Sequence, residues 1–430
     1  MITGSHNPPN ASSPPRLHVC AAAEPESPDD ASCLQMILQE LSTSPPRSSP
    51  LHDTDFPNTV EKWLLDCFES YVYHFHHRWH IITAPTYEFK KKPYDNAASV
   101  LMIGSYFSHT LEQKSLSLAI HDKLVDHYLQ LTESAVEGKG IPDTVRQLET
   151  YQSILINVIF GISLAVSAYP QAYLDEANAR IKEEKATARA SHLCGQLIKT
   201  MRKTGFFIQS QAQSILQGEF PGDYGPWVGM FVDEWKRLIC NVFKVETQIS
   251  LLYRQRSRLL YKELGTPLPS TFSLRNCYDF GTFTHREKRE GSGRNLKLSM
   301  MMRYPDWFHP DPLLIEDIYL GLCGLAFDLF ELEPDSVSNS RDDAATISSR
   351  ANIARRLAIW AGHVEVISQK LSSSTSNPGD HDLVTAYLQK EDETSVLSYE
   401  RSIVKDRIQC IFQETTALYH QLQTLLSFKN

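Results

Sequence analysis

Apolar residues recur every three or four positions along this chain and hardly anywhere every two. Val60, Leu64, Phe68, Tyr71, Phe75 and Trp79 form one such series; Leu148, Tyr151, Leu155, Val158, Ile162 and Val166 form another. A period near 3.6 places each series on one face of a helix, whereas a half-buried strand needs strict alternation. Two longer series alternate spacings of four and three. One runs through Phe231, Trp235, Leu238, Val242, Val245, Ile249 and Leu252, the other through Val404, Ile408, Ile411, Thr415, Leu418, Leu422 and Leu425. Alternating β-branched runs bounded by turn residues hardly occur. The expected fold class is all-α, a multi-helix domain with helices packed in pairs around one extended core. The long series permit a short coiled coil, and so a homo- or heterodimer. They equally suit the seam by which a helix packs inside its own domain.

The pattern starts only after residue 56. Residues 1–56 are dominated by Pro, Ser, Ala and Asp, with "SSPP", "EPESPDD" and "STSPPRSSP", and are expected to be a disordered tail. One island in it, "CLQMILQEL" (Cys33 to Leu41), has the pattern of a short amphipathic helix. Residues 57–430 are expected to form the helical domain. Asn58 and Glu61 have the spacing of a capping box. "NAASVLMIGSYFSH", "LSLAIHDKLVDHYLQL" and "DEANARIKEEKATARASHLCGQLIKTMRKTG" read as helices, the last stopping at Gly205. Gly138, Gly140 and Pro142 mark a break, and a long helix starts near Trp227. "GEFPGDYGP", "FGTFTHREKREGSGRN" and "SSSTSNPGDHD" read as loops.

Composition narrows the function classes. Hydrophobic residues make up 42% and charged residues 22%, as in ordinary globular proteins. The longest apolar stretch, Ile154 to Tyr169, is 16 residues long and contains Asn157, Ser163 and Ser167. A membrane span needs ~20 residues, so a buried helix is expected. The polar N-terminus gives no secretory signal. A net charge of −9 supplies no overall attraction to nucleic acid. The basic stretches "FKKKP" (Phe89 to Pro93) and "HREKREGSGR" (His285 to Arg294) read as solvated loops. The eight cysteines are scattered, the nearest two, Cys20 and Cys33, being 13 apart. That spacing fits buried reduced thiols rather than a zinc site.

No catalytic, cofactor-binding or metal residue is assigned from the sequence. Thr3-Gly4-Ser5-His6-Asn7-Pro8 resembles the phosphoserine loop of sugar-phosphate mutases. That chemistry also needs an aspartate-rich metal loop, a sugar-binding loop and a parallel sheet, and none is present. Asp342 and Asp343 fall one acid short of the diphosphate-binding motif of terpene synthases, with Thr346 in the third place. Phosphate-cradling glycine loops, nucleophile elbows and H-E-x-x-H do not occur. The most metal-like feature is "YHFHHRWH": His76 and His80 are four apart and His74 and His77 three apart. No carboxylate follows at a useful spacing, and the interleaved Tyr, Phe and Trp suit an aromatic helix end.

Three blocks together resemble the fungal-specific transcription factor domain, the regulatory middle region of fungal zinc-cluster and zinc-finger activators. In "CFESYVYHFHHRWHIITAPTYEF", the residues Tyr71, Phe75, His76, Ile81, Ile82, Pro85, Thr86 and Tyr87 take the family's places. "ASVLMIGSYFSH" is similar to its apolar Ala/Gly helix, and "ETYQSILINVIFGI" to its glutamine-leucine helix, with Gln152 in place. In "WVGMFVDEWKRLICNVFKVETQISLLYRQRSRLLYKELGTPLP", Glu234, Arg237, Leu238, Phe243, Ser250, Leu251, Glu263, Leu264, Leu268 and Pro269 fit. Glu246 stands where the family usually has aspartate, and Arg275 near the place of a frequent tryptophan. The resemblance covers about residues 60–285, with a continuation to the C-terminus left open, and its signal lies in order and spacing.

The resemblance implies a nuclear regulator of transcription, not an enzyme, controlling a pathway or secondary-metabolite gene set. It also implies partners: coregulators, a small-molecule effector, and DNA reached indirectly. The family normally carries a zinc-dependent DNA-binding module before this domain, and Cys20, Cys33, His6 and His18 cannot compose one. Either the reading frame begins further upstream or the chain lacks its own DNA reader. Zinc is expected only with such a module. No other cofactor and no membrane partner are expected.

Overall fold

A computed structural model describes residues 56–76, 78–83, 87–107, 110–137, 144–164, 176–208, 225–271, 274, 280–288, 292–307, 313–332, 344–373, 387 and 398–427. The tail before residue 56 with Ser5 and the Cys33–Leu41 island lie outside them. So do His77, the break at Gly138–Pro142, Asp342, Asp343, Arg275, Cys20, Cys33 and Cys277.

The described residues form eleven α-helices and no strand, with one isolated β-bridge between Pro267 and Lys297. In chain order they are α1 (Phe56–Tyr71), α2 (Tyr94–Tyr106), α3 (Leu111–Val136), α4 (Thr144–Ile159), α5 (Glu176–Lys203) and α6 (Gly225–Tyr253). Then come α7 (Phe280–Glu287), α8 (Leu298–Arg303), α9 (Ile315–Glu331), α10 (Ala344–Ser373) and α11 (Ser398–Ser427). Two groups of packed pairs result. In the first, α1 packs on α2, α2 on α3 and α4, and α5 on α3 and α4; in the second, α9, α10 and α11 pack on one another. Helix α6 touches α4, α5 and α9 and so belongs to both groups. One contiguous apolar core runs from Phe68 to Leu422.

The long apolar series are used up inside this core. Trp235, Leu238, Val242, Val245 and Ile249 of α6 are buried, as are Ile408, Ile411, Leu418 and Leu422 of α11; Leu252 is exposed. Of the Ile154–Tyr169 stretch, the described part, 154–164, forms the end of α4 and a π-helical turn, Phe160–Leu164; the rest lies outside the described residues. Among the described residues no helix is long and apolar enough to cross a membrane. Helix α1 begins at Phe56, so Asn58 lies in its first turn rather than at its cap.

One expected loop is corrected. "FGTFTHREKREGSGRN" contains α7 and a 3₁₀ turn, Ser292–Asn295. Phe283 is buried with Leu274 against Met230, and Arg286 and Arg294 are buried. Two arginines and one phenylalanine therefore give this polar stretch the anchors that its composition hides. In the other basic stretch, Lys92 pairs with Glu149 at 2.7 Å and Lys91 with Glu88 at 2.9 Å.

Two helix ends show the same device with different residues. After α5, Gly205 has φ 69°, its N–H reaches Arg202 O (3.2 Å), and Phe206 N–H reaches Met201 O (2.8 Å). That is a Schellman cap, and Gly is the residue it favours. After α6, Gln255 N–H reaches Ser250 O (3.0 Å), but the left-handed position is Arg254, φ 50°. A Cβ in that conformation is strained. Elsewhere Gly104 serves a close crossing: a Cβ there would collide with the Cys67 carbonyl, so α1 and α2 touch backbone to backbone.

A polar network lies inside the first group. Asn96 donates to Ser153 Oγ (2.8 Å), and Asn157 donates to Ser99 Oγ (2.9 Å). His121 Nε2 donates to the Asn157 carbonyl (3.1 Å), where α4 widens into its π turn. Burial pushes the His121 imidazole down to about 4.

Two predictions follow from these positions. Arg254→Gly should stabilise the protein by about 0.5–1 kcal/mol, because Gly carries no left-handed penalty; a higher urea midpoint at unchanged m checks it. For His121 the folded state holds the neutral ring. As pH falls from about 6.5 to about 4, the unfolded chain takes up a proton that the folded one refuses. Stability is complete above pH 6.5 and falls by about 3 kcal/mol across that window. Urea midpoints from pH 7 to 4.5 should decline less steeply in His121→Gln than in the wild type.

Candidate functional site

The charged residues of α6 define the site. Asp233 and Arg237, one turn apart, form an ion pair at 2.7 Å with both side chains buried. They also grip the segment after the 3₁₀ turn Tyr261–Glu263. Arg237 Nη2 donates to Ser270 O (2.7 Å) and Thr271 O (3.2 Å), and Ser270 N–H donates to Asp233 Oδ1 (2.8 Å). Seven residues beyond Arg237, on the same face of α6, stands Lys244.

Four other elements bring charge to this face. From the 3₁₀ turn after α7, Arg294 makes a bidentate pair with Asp317 at the start of α9, both bonds 3.0 Å, and donates to Pro269 O (2.7 Å). Asp317 also accepts the Leu314 N–H (3.0 Å), closing the exposed end of α9. From α11, Arg407 donates to Glu316 (2.6 Å), while Tyr387 donates a short hydrogen bond to the same carboxylate. Burial tends to raise the Glu316 carboxyl; the Arg407 charge and the Tyr387 hydroxyl outweigh it and hold it below its usual range. From the segment after α1, Arg78 pairs with Glu414 of α11, and His80 Nε2 lies 2.6 Å from Arg407 Nη1. Arginine has no acceptor, so His80 must accept at Nε2, which leaves that nitrogen deprotonated.

These side chains surround a cleft of about 50 Å³. Arg78, at its rim, is 40% exposed, while Arg237, Lys244, Arg294 and Arg407 are buried. Four of the five cations have a carboxylate partner: Arg78, Arg237, Arg294 and Arg407. Lys244 does not. Its ammonium lies over the rings of Trp79 (4.7 Å) and Tyr319 (5.1 Å). Burial pushes its pKa down, against the opposing pull of Glu414 and Glu316.

The sequence-derived candidates fall into place around this cleft. His76 and His80 do come together, with ring centroids 4.5 Å apart. His74 turns away and stacks on Phe107. Among the described residues no group of three or more His, Cys, Asp or Glu could hold a metal ion. Cys67, Cys194, Cys240 and Cys323 are free and buried, Cys410 is free and half-buried, and burial pushes Cys67, Cys240 and Cys323 up to about 12, which makes those thiols inert.

The family-like positions are mostly internal ties. Gln152 donates to Ile81 O (2.8 Å) and Glu234 (3.4 Å), and Thr83 donates a short bond to Glu234. Glu263 takes two bonds from Arg202, 2.7 and 2.8 Å. Glu246, fully buried, accepts from the Arg258 backbone (2.7 Å) and guanidinium (2.6 Å). Sequence reasoning missed Asp233, Lys244, Arg294, Glu316, Asp317 and Arg407. The available signal was charge inside apolar runs, as in "DEWKRLICNVFKVE" and "IEDIYLGLCGLAFDLF".

An all-α domain, tied internally by buried ion pairs, is a regulatory rather than a catalytic architecture in the family that this chain matches. The chain belongs to the fungal specific transcription factor domain family, whose model matches residues 68–309. The match starts inside α1, covers most of the stretch of about 60–285 that carries the resemblance, and takes in the Arg294 turn and α8 beyond it. The family is in general non-enzymatic. No curated protein and no solved structure matches the chain.

Removing one partner of a buried pair leaves the other charge uncompensated. Arg294→Met alone should therefore cost about 3–5 kcal/mol in urea denaturation. The double replacement Arg294→Met with Asp317→Leu should recover most of that loss; an additive double variant would show that the two residues are not coupled.

Proposed function

We propose that this chain regulates transcription in the nucleus of a fungus, and that its helical domain gates the response rather than reading DNA. The family match over residues 68–309 carries this reading. The net charge of −9 supports the second half of it, since binding a phosphate backbone needs clustered cations. The cations of the cleft are turned inward and largely paired. DNA contact would come through a partner zinc-cluster factor or a separate zinc-dependent module. The regulated genes would be those of one pathway, a secondary-metabolite set among them. Coregulators would bind the helical surface, and a small effector would shift the domain between two states of different affinity for them.

Fusion to a heterologous DNA-binding domain tests the reading. Tethered upstream of a reporter in a fungal host, residues 57–430 should change expression several-fold in either direction. The purified chain alone should leave duplex DNA unshifted at 50–200 mM salt. A reporter indifferent to the fusion would overturn the regulatory role; a tight sequence-specific complex would overturn the indirect route to DNA.

A further inference from the structure

Among the described residues, Lys244 is the cation of the cleft with no carboxylate in direct contact; Glu414 and Glu316 act on it only from a distance. It is 7% exposed, and among the described residues its ammonium has no hydrogen-bonding partner, only the faces of Trp79 and Tyr319. Ring faces attract a cation but accept none of its three N–H bonds. With no acceptor for it among the described residues, the ammonium is left to whatever fills the cleft that it lines. The side chain lines the cleft together with Asn241, Arg407 and Arg78. The cleft's volume of about 50 Å³ is enough for a few waters or one small polyatomic head group, since one water needs ~10–15 Å³.

The charge count selects the ligand. Arg78, Arg237, Arg294 and Arg407 are each matched by a carboxylate, two of which, Glu414 and Asp233, stand behind the lining, so with Lys244 protonated the cations and their partners together carry a single surplus positive charge. A monoanion neutralises it. A dianion would leave one negative charge buried and unanswered. The rim at Arg78 is open enough for the rest of a larger molecule to project outward.

We propose that the cleft between α6, α9 and α11 binds the carboxylate of a small organic acid, seated on Lys244 with Asn241 and the Arg407 guanidinium beside it. This deepens the regulatory reading and rests on it only for what binding achieves, because the site itself is defined by the cleft. Glu316 and Glu414 tie α11 to the cleft walls through Arg407 and Arg78. An occupant therefore bears directly on how α11 docks, and α11 is the element whose position it would set.

The probes are sodium acetate, propionate, succinate monomethyl ester and benzoate, with orthophosphate, sulfate and chloride at matched ionic strength. Added to the purified full chain near pH 7, at least one carboxylate should raise Tm saturably, by roughly 3 °C at a hundred times its Kd. Isothermal titration should give a stoichiometry of one. Lys244→Met should weaken that binding at least about tenfold, the loss of one charge-assisted bond. It should also leave the ligand-free protein as stable as the wild type or more so, and Lys244→Arg should restore part of the affinity. Where Lys244→Met fails to fold, Lys244→Gln takes its place. Absence of any saturable carboxylate effect overturns the proposal, as does equal stabilisation of wild type and Lys244→Met. Phosphate or sulfate outperforming every carboxylate overturns it too. The reporter fusion separates the two readings: regulation without carboxylate binding sinks this site alone, and carboxylate binding without regulation sinks the function alone.

Discussion

Helix α6 is buried on nearly every side and carries charge. From Asp233 to Ser250 most of its side chains are withdrawn from water, and Asp233, Arg237, Lys244 and Glu246 are among them. A buried charge must be answered within the protein or it costs several kcal/mol. Each charge on α6 therefore dictates where some other part of the chain must lie. Asp233 and Arg237 fix the segment at Ser270 and Thr271. Glu234 fixes the segment after α1 through Thr83 and Gln152. Glu246 fixes the turn at Arg258 and, through Arg258, the Ser191 carbonyl of α5 at 2.6 Å. Apolar burial supplies the drive to pack, but it is non-directional. These ties give the two helical groups one way to meet.

Lys244 is the exception, and it lies where the two groups and α11 converge. Trp79 from the first group and Tyr319 from the second cover its ammonium from different sides. Arg407 reaches Glu316 of α9 and His80 of the first group from α11. The last helix is thus held by polar contacts at Arg407 and Glu414 and by the apolar seam of Ile408, Ile411, Leu418 and Leu422 that runs along it. The seam alone would tolerate a small rotation of α11; the directional bonds at Arg407 would not. The stretch of α11 from Arg407 to Glu414 is therefore where a ligand in the cleft would act on the position of the helix.

Much of this architecture was legible in the sequence, because helical periodicity depends on where apolar residues fall and hardly at all on their partners. The runs behind α2, α3, α5, α6 and α11 all mark helices, and Gly205 marks the end of α5. Legibility failed where structure rests on pairs far apart in the chain. Arg294 and Asp317 are 23 residues apart and His80 and Arg407 are 327 apart. Nothing in "EGSGRN" says that its arginine will be buried, because the acid that buries it belongs to another element. The same limit hid the cleft. Its five cations come from four elements, and each looks like an ordinary surface charge until the fold brings them together.

The degenerate family pattern has a physical explanation in the same ties. Its polar places, Gln152, Glu234, Arg237, Glu246 and Glu263, are each one half of a contact whose other half is remote. A tie of this kind constrains charge and reach more than identity. Glu246, where aspartate is usual in the family, is one methylene longer, and the flexible Arg258 side chain still meets both of its oxygens at 3.0 and 3.1 Å. Apolar places tolerate any residue that fills the volume. What cannot drift is the spacing, because a shift of one position turns a tying side chain about 100° around its helix. Order and spacing therefore persist where identities fade, and a family held together in this way is recognised by the sequence of its ties along the chain. Lys244 is not one of those ties: it meets ring faces and the cleft rather than a remote partner.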